Sequence, residues 1–371
     1  MDRPINQYVP WLQLDWPRAE EKITLRMLLS HSSGLPTEFS AQGPQDPAAL
    51  ATLLREELPH YRFVAPPGRY WSYSNVGMRL AAHIAEAVSG ELLPRFMDRL
   101  VFEPLEMRRA TFDPLMAMTY PTALPHDRAE DGQLRVVRPL TNNAARLPAG
   151  GMFASVLDLA NFAILHLMEG RLGGKELLSA STIREMHRPQ VFKFTLNKDF
   201  YGLALESDLS NGIKRIGHPG SFPPYGSRFT MVTEAGAAVI LLVNRTTDFG
   251  KSATTIVNSV LSQLLECEID DAPPTARVPE REHWAGFVGT YRDHLTHRAT
   301  VFIDNDRLCA SFGGDVIPLN CSRADLYFGT VADASKTIVV GFPEGGEYVI
   351  INNRPYRKDS TGLAVELKRG V

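Results

Sequence analysis

Residues 270–279, Asp-Asp-Ala-Pro-Pro-Thr-Ala-Arg-Val-Pro, divide the chain more decisively than any other feature. The stretch is charged and proline-rich and has no apolar period, so it reads as a linker rather than as part of a helix or a central strand. With 371 residues in all, each side is long enough for a core of its own. The division predicts a first domain over 1–269, a linker over 270–281 and a second domain over 282–371.

The two sides differ in periodicity. Before the seam, Asp46 followed by Pro47 is a good helix start, and Leu50, Leu53, Leu54 and Leu58 then share one face. Asn75 opens a second helical run with Leu80, Ile84 and Val88, stopped by Gly90. Ser155 and Asp158 make a capping pair for a third, which passes through Phe162 and Leu167 to Gly170. Residues 229–233 and 237–244, joined by Glu234-Ala235-Gly236, read as a hairpin whose second strand is apolar enough to be covered on both faces. An amphipathic helix over 251–266 can lie on that sheet. After the seam, 300–304 and 307–312 flank a turn at Asp304-Asn305-Asp306, and 337–342 and 348–351 flank a second turn. Short strands at this spacing predict a small antiparallel β-barrel. The class is therefore α+β: an antiparallel sheet flanked by helices, plus the barrel.

Composition excludes several functions. A net charge of −3 with scattered lysines and arginines gives no electrostatic footprint for nucleic acid. Three cysteines, Cys267, Cys309 and Cys321, are too few for a disulfide framework, and neither Cys-x-x-Cys nor His-Glu-x-x-His occurs, so no metal or other cofactor is implied. The longest apolar run, 237–243, is far short of a transmembrane span, and the first ten residues lack a signal-peptide pattern. Gly150-Gly151 and Gly173-Gly174 are turn glycines, because neither pair is followed by the lysine of a phosphate loop.

Four signatures occur in order. Residues 23–36, ITLRMLLSHSSGLP, contain Thr24, Arg26, His31, Ser33 and Gly34; residues 67–77, PGRYWSYSNVG, contain Tyr73 and Asn75; residues 147–155, LPAGGMFAS, form a turn before a helix; residues 217–221 are Gly-His-Pro-Gly-Ser. Together these resemble the segments of β-lactamase-related serine hydrolases, the superfamily of β-lactamases and penicillin-binding proteins that includes esterases and D-aminopeptidases. The barrel is similar to the lipocalin-like accessory domain that follows some of these enzymes.

The resemblance implies a mechanism and a substrate class. A serine hydroxyl is a poor nucleophile until a nearby base takes its proton, and in this superfamily the serine lies in Ser-x-x-Lys at a helix start. Tyr73 resembles the tyrosine that moves the proton between serine, lysine and leaving group, and Asn75 the amide that orients lysine and substrate. His218 resembles the cationic or hydrogen-bonding group on the strand beside the cleft. Gly220 lets a substrate backbone approach that strand, and the Ser221 amide is half of an oxyanion hole. His-Pro-Gly in place of Lys-Thr-Gly removes a permanent cation, which favours an ester, an amide or a D-amino-acid peptide over a β-lactam. Pro219 also lacks an N–H. His31, with Ser32 and Ser33, reads as packing and capping rather than as a catalytic pair.

The sequence departs from the family at one point. Of the nine lysines only Lys198 has a hydroxyl three residues earlier, and that residue, Thr195, has no helix signal around it. The residues 1–10 resemble the family's segment just after the catalytic helix, so the expectation is a chain that opens after both that helix and the first sheet strands. Two functions then follow as expectations: a serine hydrolase whose nucleophile is not in this chain, or a truncated homologue that binds a small-molecule or peptide ligand without turnover. The missing strands also predict self-association through an exposed sheet.

Overall fold

The computed structural model describes residues 1–37, 43–138, 143–197, 199–245, 249–269, 276–278, 281–295, 297–312, 314–331, 336–344 and 346–359. Two compact units divide the chain: Met1–Lys193 with Asn197–Ala272, and Phe194–Leu196 with Pro273–Val371. Of the expected linker, residues 270–275, 279 and 280 lie outside the described residues. Arg277 bridges to Cys321, its N–H 2.8 Å from that carbonyl, so this part of the stretch is already structure of the second unit.

In the first unit the helices begin and end where local chemistry sets them. Helix α1, Leu25–Leu29, is capped by Thr24, whose side chain accepts from the Met27 N–H. Helix α2, Ala49–Glu56, follows Asp46, whose carboxylate accepts from the Ala48 N–H at 2.9 Å. Helix α3, Asn75–Ser89, has Ser74 as its cap and stops at Gly90, which takes the left-handed φ of 72° that a side chain resists. Leu80 and Ile84 are buried as the spacing predicts, but Val88 is 67% exposed, because its turn runs past the edge of the core. Helix α4, Val156–Leu167, carries the full Ser155–Asp158 capping box, and helix α5, Ala180–His187, is capped by Ser179. Leu28, Leu54, Leu58, Leu80, Ile84 and Leu165 meet in one core. Each fully buried leucine there contributes about 1.5–3 kcal/mol.

The sheet of this unit has six strands: β1 Val191–Phe192, β2 Phe200–Tyr201, β3 Glu206–Ser210, β4 Ile213–Phe222, β5 Tyr225–Val232 and β6 Ala237–Val243. They pair antiparallel in sequence order, with β6 and β1 at the two ends. The expected hairpin forms with Ala237 opposite Val232 and Val243 opposite Gly226, and Thr233–Ala235 is a turn. Period-two alternation sorts its faces. Ile216, Phe229, Met231 and Ile240 pack with Phe162 and Ala163 of α4, while Val232, Val239 and Leu241 pack with Val257 and Leu261 of helix α6, Phe249–Leu265. Strand β6 is thus covered on both faces as predicted, although it is the end strand among the described residues.

The second unit is a nine-stranded antiparallel sheet: β7 Gly289–Arg292, β8 Arg298–Asp304, β9 Arg307–Phe312, β10 Asp315–Pro318, β11 Asn320–Arg323, β12 Leu326–Val331, β13 Lys336–Gly341, β14 Tyr348–Ile351 and β15 Arg354–Lys358. Strands β10 and β11 stand at opposite ends of the hydrogen-bonded order, yet only Leu319 joins them, so the sheet must curl until its ends meet. Gly329 of β12 marks the closure: a Cβ there would lie 2.5 Å from Ile317 Cγ2 and 2.6 Å from the Pro318 carbonyl oxygen. Trp284, Tyr291, Val301, Tyr327 and Tyr356 fill the interior. Asn305 and Asp306 both take positive φ, the signature of a tight type I′ hairpin, at the turn expected between β8 and β9. No helix among the described residues is long and apolar enough to cross a membrane.

Candidate functional site

Tyr73 is set in place by a histidine far away in sequence. His31 follows α1 at a φ of 54°, a conformation that histidine tolerates better than most residues, and is 1% exposed. Its carbonyl accepts from the Ser72 N–H at 2.8 Å and its Nδ1 from the Ser74 N–H at 3.1 Å, so the two neighbours of Tyr73 are held by one residue. Nδ1 is an acceptor only if the proton sits on Nε2, and the ring must then be neutral. Burial, with the Lys193 charge adding to it, pushes the His31 pKa down to about 3 and keeps it so. The same two segments are joined again where the Gly68 N–H meets the Ser32 carbonyl at 2.7 Å and the Val64 N–H meets the Gly34 carbonyl at 2.9 Å.

Around His31 the rings converge. Its centroid is 4.4 Å from that of Tyr73, 4.8 Å from Tyr201 and 6.3 Å from Trp71, and the Tyr73 ring lies 6.3 Å from His218. Tyr73 and His218, 145 positions apart in the chain, therefore share one wall. His218 lies on β4 opposite Phe229. Its Nδ1 is 2.5 Å from the Pro219 carbonyl and its Nε2 2.9 Å from the Tyr201 hydroxyl. A carbonyl only accepts, so Nδ1 carries the proton and Nε2 takes the Tyr201 hydrogen. Burial lowers the His218 pKa, with Glu206 and the Pro219 carbonyl opposing, and His218 stands as a neutral, hydrogen-bonded ring. Burial and the Glu206 charge raise the Tyr73 pKa, so its phenol keeps its proton at neutral pH.

The other expected residues sit near this wall with distinct local roles. Asn75 is the first residue of α3, its N–H 3.4 Å from Thr37 Oγ1; the ring contacts joining Tyr73 to His218 do not include it. Gly220 faces Ser227, and a Cβ at 220 would lie 2.0 Å from Ser227 Oγ, so that hydroxyl occupies the space a side chain would need. Ser221 pairs with Gly226 and is exposed near the end of β4.

Sequence reasoning missed four members of this cluster. Tyr201 is 1% exposed and bonds His218; Trp71 packs 5.9 Å from Tyr201. Lys193 lies 4.9 Å over the Trp71 ring and 3.1 Å from the Glu206 carboxylate. The Tyr201-Gly202-Leu203 triplet was a visible signal. Lys193 and Glu206 carried none, because their proximity exists only once β1 and β3 are folded. Among the described residues no group of three or more His, Cys, Asp or Glu side chains is placed to hold a metal.

Comparison with known proteins agrees with this architecture. Residues 1–261 match the Beta-lactamase family, and the chain belongs to that family. Among curated relatives, the unguisins hydrolase ungD' of Aspergillus campestris is 24% identical over 289 residues, covering 72% of this chain and 51% of its own length. A D-aminopeptidase of Cereibacter sphaeroides is 24% identical over 297 residues, covering 77% of this chain and 51% of its own length. The chain thus spans about half the length of these relatives. Among solved structures, SurE superposes with a TM-score of 0.70 at 21% identity, covering 96% of this chain and 84% of that one. An octameric penicillin-binding protein homologue from Pyrococcus abyssi gives 0.61 at 22%, covering 96% and 81%.

Proposed function

We propose that this chain carries the cleft wall of an acyl-transferring serine hydrolase acting on an ester, an amide or a D-amino-acid peptide, with the acylated serine supplied by residues outside these 371. The observation that carries the reading is the 6.3 Å approach of the Tyr73 ring to His218, made in a chain of the Beta-lactamase family. In this reading Tyr73, a protonated phenol, passes a proton to the leaving group. Asn75 orients the substrate, and His218 presents a neutral edge to it. Gly220 keeps β4 free of a side chain beside Ser227, and the Ser221 amide donates half of the oxyanion hole. The name of one relative, a D-aminopeptidase, supports the peptide side of the substrate range.

The absence of Ser-x-x-Lys from the 371 residues favours a second reading, a ligand-binding module without turnover. A fluorophosphonate probe separates the two. The 371-residue chain is expected to take no label, whereas a chain extended upstream with a Ser-x-x-Lys helix is expected to be labelled, and Tyr73→Phe in it to slow acylation strongly. An extended chain that stays unlabelled would leave the binding module. Stoichiometric labelling of the 371-residue chain itself would overturn the mechanism.

A further inference from the structure

The wall that holds Tyr73 and His218 also holds a buried ion pair, and its two members meet solvent unequally. The Lys193 side chain is 8% exposed and is enclosed between the Trp71 ring and the Glu206 carboxylate; the Glu206 side chain is 27% exposed. The cation is thus covered and the carboxylate is the charge left open to a ligand. We infer that Glu206 is a specificity residue of this site, receiving the ammonium group of a substrate and disfavouring substrates that present a carboxylate there. The inference rests on the reading of the Tyr73–His218 wall as a substrate cleft.

Several facts place Glu206 where such a group would lie. It pairs directly across from Tyr201, the residue that bonds His218, on one side and from Gly217, the neighbour of His218, on the other. Its charge is felt by Tyr73, Tyr201 and His218 alike. A small cavity, lined about equally by polar and apolar groups, holds Glu206 and His218 beside Asp199, Asp208, Arg215 and Arg228. Arg215 does not cancel the carboxylate at the cleft. Arg215 is closed by a two-pronged bond to Asp208, at 2.6 and 2.9 Å, and by Asn258 at 2.7 Å. Arg228 stands opposite Pro219, in phase with Gly217 and Glu206, and lines the same cavity.

The test reads binding rather than turnover, so it needs no nucleophile. The 371-residue chain is titrated by ligand-observed NMR with D-phenylalaninamide, which is cationic, N-acetyl-D-phenylalaninamide, which is neutral, and N-acetyl-D-phenylalanine, which is anionic. A hydrogen bond to a charged group predicts that the amine binds roughly tenfold more tightly than its acetylated form, with the acid weakest. Glu206→Gln is expected to bring the amine and its acetylated form to within about twofold by removing that charge–charge bond. Should the single variant fold poorly with Lys193 left uncompensated, the double variant Lys193→Met, Glu206→Gln removes both charges together and carries the same expectation. Equal or tighter binding of the neutral or anionic probe, binding of none of the three, or a preference that survives loss of Glu206 would overturn the inference. If an extended chain is acylated by the fluorophosphonate while these titrations show no preference for the amine, the hydrolase reading stands and the inference falls.

Discussion

Replacing His31 by leucine tests how much of the site rests on one buried ring. Leucine is close to histidine in volume, so the change leaves little cavity and isolates the polar and conformational terms. The Ser74 N–H, on a residue with no exposed surface, loses its acceptor, which costs about 2 kcal/mol. Leucine in the left-handed conformation that His31 adopts costs about 1 kcal/mol more. The contacts with Tyr73 at 4.4 Å and Tyr201 at 4.8 Å lose their aromatic component, about 1 kcal/mol in sum. The expected loss is therefore about 4 kcal/mol, read as a lower urea midpoint with an unchanged slope. Tryptophan fluorescence suits the assay, because Trp11, Trp16 and Trp71 all lie in the first unit. His31→Asn, which tolerates positive φ, is expected to recover about the 1 kcal/mol conformational part. A loss below about 1 kcal/mol for the leucine variant would refute the assignment of His31 as the residue that fixes the Tyr73 segment.

Three further outcomes follow from the same structure. His31 is held to about 3, and His166 and His187, hydrogen-bonded at 2.9 Å, to about 4, mainly by burial. Unfolded histidines titrate near 6.5, so the unfolded chain binds more protons between these values; stability is full above about pH 6.5 and falls toward pH 4, by roughly 1.4 kcal/mol per pH unit for His31 alone. Urea midpoints at pH 7 and pH 5 check this, and a slope unchanged by replacing both His166 and His187 with glutamine would contradict the contribution of that pair. Gly34→Ala places a Cβ 2.1 Å from the Ala65 carbonyl oxygen at a φ of 78°, so a loss of about 3 kcal/mol or more is expected, and a melting temperature equal to that of the parent would show that the turn yields. Leu157 and Ile164 on α4 and Leu242 on the end strand β6 are exposed, and sedimentation is expected to show concentration-dependent self-association; a single monomeric species at every concentration would rule it out.

Much of the local structure was legible because local rules govern it. The Ser155–Asp158 box, the stop at Gly90, the turn at Asn305-Asp306 and the pairing of 229–232 with 237–240 each depend on residues within a few positions of one another. Val88 departs because helical phase says which side a residue occupies but not where the core underneath it ends. The strands 191–192, 200–201 and 206–210 went unread, being too short or too mixed in polarity to show a period of two.

The sequence by itself determined the motif order, and with it the two residues, Tyr73 and His218, that the fold brings to one wall. Periodicity and turn chemistry, written in consecutive residues, also predicted a helix-rich part followed by a strand-rich one. Only the tertiary structure decided the state of the groups at that wall. The tautomer of His218 follows from the Pro219 carbonyl on one side and the Tyr201 hydroxyl on the other, and the neutrality of His31 follows from its burial. The pairing of Lys193 with Glu206 follows from the sheet, in which β2 pairs with the end of β1 on one side and the start of β3 on the other. Protonation and charge pairing depend on desolvation and on distances of a few ångströms between residues far apart in the chain, and those distances come into being when the sheet forms.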